Sequence, residues 1–433
     1  MSFNLNAQYA TMSPVLPFDI TALIIDIVGE NNDTNLLKEL ALISHSFHQI
    51  CSKHIFATVE LHDVDRNYHV ASSKKGFVKL LRSRPDVVKY IRKLTYHVNC
   101  NFQSLRISPT HPSFNNDNHH LLSSVLPNLL RTISHLNCLT ISASQFDWNT
   151  LDSSLTSAFL YLMHLPTINH IDLSYIQDFP LSSFTPSVNL RRLDISYLRC
   201  FDRSEEDGSP EIVILPEWMP KIREFHTSES ALVTTKLLHA KKQDGRPAFD
   251  FMDLRRLSTC LENEQNVRYL MQNAKFLETL HLTAGRCQSL VRLYDILSPR
   301  AHTLKVLDLS VSIYNFDPLP LAGLCEGLEA MAGHNNLEAL SFEIHVDEHE
   351  PEDSVGFEVQ RVEKVLVKPG WSALRQVSLK VTIACWGGGE KLYKTLLKCL
   401  PEKYLSHLLK LESVAFNFSV DIDKCIIDSP ASV

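Results

Sequence analysis

The residues whose types and spacing could do chemistry are first of all His345, Glu348 and His349, which spell H-x-x-E-H. On a helix that spacing would set two imidazoles on one face as zinc ligands, with the glutamate beside them as a general base for hydrolysis. The surrounding residues argue against a helix. Phe342, Ile344 and Val346 alternate with polar residues at the period of a strand, and Glu350-Pro351-Glu352-Asp353 follows as an acidic loop. Gly387-Gly388-Gly389-Glu390-Lys391 lacks the G-x-x-x-x-G-K-S/T spacing that cradles a phosphate, and reads as a flexible turn ahead of a helix beginning near Leu392. His119-His120 sits in a polar loop, and the ten cysteines include no C-x-x-C pair, so they read as reduced thiols. The expectation is therefore no catalytic residue, no metal ligand and no cofactor. Zinc hydrolysis at His345 and His349 stands as the enzyme-class alternative.

The elements that would have to position any site belong to a chain of 433 residues, 44% hydrophobic and 21% charged, with a net charge of −7. That balance is ordinary for a globular protein and gives no electrostatic reason to expect a nucleic-acid partner. The longest apolar-rich run, Ile20 to Val28, contains Asp26 and is too short to cross a bilayer, so no membrane partner is expected. Residues 1–15 lack a basic stretch followed by an apolar one. They are expected to be a disordered tail without a secretory signal, which points to a cytoplasmic or nuclear protein.

Ile20, Leu23, Ile24, Ile27 and Val28 form one stripe at helical spacing, with Pro17 at the start and Gly29 followed by polar residues at the stop. Leu36, Leu40, Ile43, Phe47 and Ile50 form a second stripe. Asp33 or Thr34 can cap its beginning, and serines at 44 and 46 divide it into two helices. Three short helices in residues 16–56 hold more apolar residues than they can hide from water, which argues for docking against another protein.

The order of these residues resembles the F-box: Leu16-Pro17 with Asp19, an apolar helix, an acidic turn at Asp33, Leu36-Leu37 and Leu40, then Ile43-Ser44-His45-Ser46-Phe47. Ile43 stands where the family commonly has Val, His45 where it has Lys or Arg, and Phe47 supplies the aromatic. Ile55-Phe56 replaces the family's frequent Leu-Trp.

Beyond a connecting segment, residues 57–90, apolar residues recur at x, x+3 and x+5. The copies are Ile91-Leu94-Tyr96, Leu136-Leu139-Ile141, Ile168-Ile171-Leu173, Leu190-Leu193-Ile195, Leu277-Leu280-Leu282, Leu304-Leu307-Leu309, Leu337-Leu340-Phe342, Leu374-Val377-Leu379 and Leu411-Val414-Phe416, with a weaker one at Ile222-Phe225. The spacing suits a bend ahead of a short strand, and amphipathic stretches precede several copies, as at 319–331 and 355–367. The pattern resembles leucine-rich repeats, and F-box proteins carrying such repeats are a familiar arrangement, abundant in fungi. The fold expected is α/β: a small three-helix F-box followed by an irregular leucine-rich-repeat solenoid with a curved parallel sheet over residues 91–420, and a tail at 421–433.

The resemblance implies a non-catalytic substrate-recognition subunit of an SCF-type ubiquitin ligase. Its F-box would dock on a Skp-type adaptor and through it on cullin and RING subunits; the solenoid would bind a protein target. A protein-binding scaffold acting outside a ligase is the alternative. Carried over residue by residue, the adaptor-binding candidates are Leu16, Pro17, Ile20, Ile24, Leu36, Leu40, Ile43 and Phe47. If x, x+3 and x+5 point inward, x+2, x+4 and x+6 line the other sheet face. That register makes Asp172, Asp194, His281 and Asp308 the target-binding candidates, with the two aspartates of the first units on neighbouring strands.

Overall fold

The computed structural model describes residues 17–31, 33–62, 74–98, 125–184, 186–200, 219–242, 245–284, 290, 292–313, 321–347, 349, 352–385 and 390–424. Leu16, His119-His120, Glu348 and Gly387 to Gly389 lie outside them. The protein is α/β, with parallel strands joined by helices, and it divides into two compact units: residues 1–140 with 152–167, and residues 141–151 with 168–433.

The first unit opens with α1 (Phe18–Glu30), α2 (Thr34–Leu40) and α3 (His45–Ile55). Pro17 occupies the N-cap of α1, where its missing N–H leaves nothing unsatisfied. The Asp33 carboxylate accepts the Leu36 N–H at 3.0 Å and the Ser44 hydroxyl accepts the Phe47 N–H at 3.3 Å, and these two caps set where α2 and α3 begin. α1 ends at Glu30 with Asn31 as its C-cap, within the polar residues expected to stop it. The small size of Gly29 also serves packing, because a Cβ there would run into the His54 ring of α3. Ile25, Leu37, Ile50 and Cys51 form the core of these helices, and Ala22, Val28, Leu40, Ala41, Phe47 and Ile55 pack around it.

After α3 the chain forms β1 (Thr58–His62), α4 (Lys74–Ser83) and β2 (Lys93–Val98). The two strands are parallel, paired from Thr58 opposite Lys93 to His62 opposite His97, a geometry that requires a crossover of the kind α4 lies in. Ile91, Leu94 and Tyr96 are fully buried, and the Tyr96 ring meets Phe159 edge-on at 4.9 Å. Phe159 belongs to the helix Ser153–Met163, whose first N–H groups are accepted by Asp152. Next in the chain after β2 is β3 (Cys138–Asp147).

The second unit carries β4 (His170–Gln177), β5 (Arg192–Ser196), β6 (Glu224–Ser228), β7 (Arg256–Cys260), β8 (Thr279–Ala284), β9 (Val306–Ile313), β10 (Ala339–Asp347), β11 (Gln376–Cys385) and β12 (Ala415–Lys424). From β4 to β12 each strand pairs in parallel with the next in chain order. Helices fill the longer connections, among them Glu264–Asn273, Ala322–Met331 and Glu352–Leu366. Burial alternates along the strands. In β8, Leu280 and Leu282 are buried while Thr279, His281 and Thr283 are half-buried, as residues two apart on one face should be. The residue that opens the bend is buried too at Ile168, Leu190, Leu277 and Leu304, whereas Leu411 ahead of β12 is half-buried.

In the second unit, β7 has no counterpart among the sequence copies. Leu254 and Leu257 are buried like any x and x+3, but Thr259 occupies x+5, as Thr227 does in the weak copy at Ile222-Phe225. Each hydroxyl finds a partner, so the position tolerates it: Thr227 Oγ1 lies 2.8 Å from Thr234 Oγ1, and Thr259 donates to the Cys260 carbonyl at 3.3 Å.

Candidate functional site

The helical module hides one stripe of α1 and exposes another. Thr21 and Ile25 face the core, whereas Phe18, Ile20, Leu23, Ile24 and Ile27 are all exposed. Ile20, Leu23, Ile24 and Ile27 stand at i, i+3, i+4 and i+7 and so share one helix face. Leu36 on α2 is exposed as well, and the turn between α2 and α3 presents Leu42 at 86% and Ile43 at 64% of full exposure. Single exposed leucines are ordinary on protein surfaces, but eight large apolar side chains exposed within residues 18–43 make this face a candidate interaction surface. Covering a half-exposed Ile or Leu returns about 1 kcal/mol, by analogy with full burial at roughly 1.5–3 kcal/mol, so a partner seated here gains several.

Of the residues expected to dock, Pro17, Ile20, Ile24, Leu36 and Ile43 are exposed. Leu40 and Phe47 are placed differently: both are half-buried against the module's own core. They pack the helices together, and the exposed face also includes Phe18, Leu23, Ile27 and Leu42. Leu23 and Ile27 belong to the same stripe as Ile20 and Ile24, and Leu42 lies in the turn before α3.

The half-exposed face of the second unit shows a row across six strands. Asp172, Asp194, His226, Ser258, His281 and Asp308 stand directly opposite one another in parallel register. The four sequence candidates are thus brought into one line, with neighbouring strands about 4.8 Å apart. His226 joins them. It was missed because its strand carries Thr227 where the pattern asks for an apolar residue.

The row is not uniformly acidic. Asp194 is mostly buried, and its carboxylate accepts Arg192 Nη2 at 2.8 Å and lies 3.0 Å from His170 Nε2. Burial alone would raise its pKa, but the hydrogen bonds from His170 and Arg192 outweigh that and hold the carboxyl below its usual range. Its charge is matched inside the protein, so it offers little to a basic target. Burial pushes the imidazole of His226 below its ordinary pKa, with the nearby Asp194 opposing. Arg192 and Arg256 also flank Glu224, at 3.6 and 3.4 Å.

His345 and His349 do not lie on a helix. His345 lies on β10, where burial alternates residue by residue, and its Nε2 is 3.8 Å from Glu343 Oε2. His349 comes after the strand ends, its N–H accepted by Asp347 at 3.0 Å. In a strand, residues four apart do not converge as they do over one helical turn. Among the described residues no helix is long and apolar enough to cross a membrane.

Compared with known proteins, the chain matches no family model and no curated sequence.

Proposed function

We propose that the protein is the substrate-recognition subunit of an SCF-type ubiquitin ligase, with an F-box in residues 16–56 and a leucine-rich-repeat-like solenoid beyond it. The observation that carries this reading is the apolar face of the three-helix module, with Ile20, Ile24, Leu36, Leu42 and Ile43 turned to solvent. It lies on the residues whose order resembles the F-box, where a Skp-type adaptor would dock. The strands that pair in chain order, with helices in their connections, support a repeat array that could hold a target. In this reading the chain contributes no chemistry of its own. It raises the effective concentration of a target lysine near a conjugating enzyme brought by the cullin and RING subunits.

The experiment is affinity purification of the tagged full-length chain from cells held under proteasome inhibition. A Skp-type adaptor together with a cullin supports the ligase. Adaptor without cullin supports a scaffold acting outside a ligase, and neither protein removes the proposal.

A further inference from the structure

Two histidines and a glutamate converge on the paired strands β1 and β2, among residues that neither the docking face nor the sheet row uses. Glu60 and His62 stand two apart on β1, on one side of the strand, and the parallel register sets His97 of β2 directly opposite His62. The two imidazoles stack with centroids 4.5 Å apart and planes 13° from parallel. His97 Nε2 lies 2.7 Å and His62 Nε2 3.2 Å from the same oxygen, Glu60 Oε1. All three ligand atoms lie within 4.8 Å of one another. No lysine or arginine pairs with Glu60 among the described residues.

We propose that Glu60, His62 and His97 form a binding site for a zinc-class divalent ion that clamps β1 to β2. Neutral imidazole nitrogens and a carboxylate oxygen are the donors zinc takes, and three protein ligands leave a position open for water. With bonds of about 2.0–2.1 Å, ligand atoms on a tetrahedral zinc lie about 3.3 Å apart. The two nitrogen–oxygen separations, 2.7 and 3.2 Å, fall within about 0.6 Å of that spacing. An imidazole holds a metal in its own ring plane, so an ion shared by both rings requires them to turn out of the 13° stack, chiefly about χ2, a soft torsion for histidine. The strand ladder already holds His62 beside His97. An ion can enter from solvent, since the three side chains are 52%, 37% and 36% exposed, Glu60 the most. Glu60 and His97 are 37 residues apart, so no local motif announces the site.

The test uses the full-length chain, stripped by chelation and titrated with zinc chloride in a calorimeter, beside His62→Ala, His97→Ala and His345→Ala. Wild type and His345→Ala are expected to bind one equivalent. Either of the other two variants should bind at least ~10-fold more weakly, since loss of a mere supporting partner already lowers metal affinity ~10–100-fold. X-ray absorption at the zinc edge of loaded wild type gives a second readout that no variant's folding can confound, and should show imidazole ligation. Absence of saturable zinc binding by wild type would overturn the proposal. So would equal affinity in all four proteins, loss confined to His345→Ala, or an absorption spectrum without imidazole.

Discussion

His54 Nε2 of α3 lies 2.7 Å from Asp26 Oδ1 of α1, and Lys53 Nζ reaches the same oxygen at 2.7 Å. This contact ties the first helix of the module to the third. Hydrogen bonds from Lys53 and then His54 hold the Asp26 carboxyl below its usual range. A depressed carboxylate stabilises the fold fully above its unfolded pKa, about 3.9, and that stability is lost as pH falls through the folded value below it. Thermal unfolding followed from pH 7 to pH 3 should therefore show a steeper acid loss in wild type than in Asp26→Asn. At neutral pH the variant should be less stable by under ~1 kcal/mol, because the pair is partly solvated. Parallel acid limbs in the two proteins would show that the contact does not carry this linkage.

Gly29 permits the approach that makes the contact possible. Alanine in place of glycine inside a helix is ordinarily worth about 1 kcal/mol in favour of the helix. Here the added methyl would collide with the His54 ring, and overpacking of that kind costs about 1–3 kcal/mol. Gly29→Ala should lower the melting temperature, and a rise would mean that the α1–α3 spacing is slack.

Asp194 and Asp308 occupy the same row of the sheet, yet different surroundings predict different phenotypes. Removing the Asp194 carboxylate takes away its hydrogen bonds with Arg192 and His170, so Asp194→Ala should destabilise the protein by about 1–2 kcal/mol in denaturant unfolding. Asp308 is half-buried, and none of the ion pairs described involves it. Asp308→Lys should leave stability within ~0.5 kcal/mol while reducing capture of a basic target segment in a pull-down. Undiminished capture by Asp308→Lys would move the receptor surface elsewhere. Asp194→Lys is a poor probe of capture, since it sets a second cation against Arg192.

Much of this architecture is written in period and caps. Apolar residues at x, x+3 and x+5 place Leu280 and Leu282 inward and His281 outward, and Asp33 and Ser44 mark the helix starts they in fact cap. Local pattern fails where a tertiary contact decides. Thr227 interrupts the repeat where its hydroxyl meets Thr234, and Thr259 where its hydroxyl turns to the Cys260 carbonyl. Gly29 reads as part of a stop signal, which does not show that its small size also makes room for the His54 ring 25 positions on. Leu40 and Phe47 read as docking residues from the sequence, which does not show that they also pack, half-buried, against the module's own core. The meeting of His62 with His97 depends on strand pairing and leaves no local trace in the sequence.

Leu42 and Ile43 are the two most exposed large apolar residues of the helical module. The affinity of the full-length protein for a purified Skp-type adaptor is compared with that of the Leu42→Asp, Ile43→Asp double variant. Both side chains are exposed, so the variant should keep the wild-type circular dichroism and melting temperature within ~2 °C. If this turn is buried by the adaptor, two uncompensated carboxylates there should weaken binding at least ~100-fold, from ~1.5–2 kcal/mol each at 1.4 kcal/mol per factor of ten. A wild-type chain that does not bind the adaptor, or a folded double variant that binds it equally well, would contradict the account.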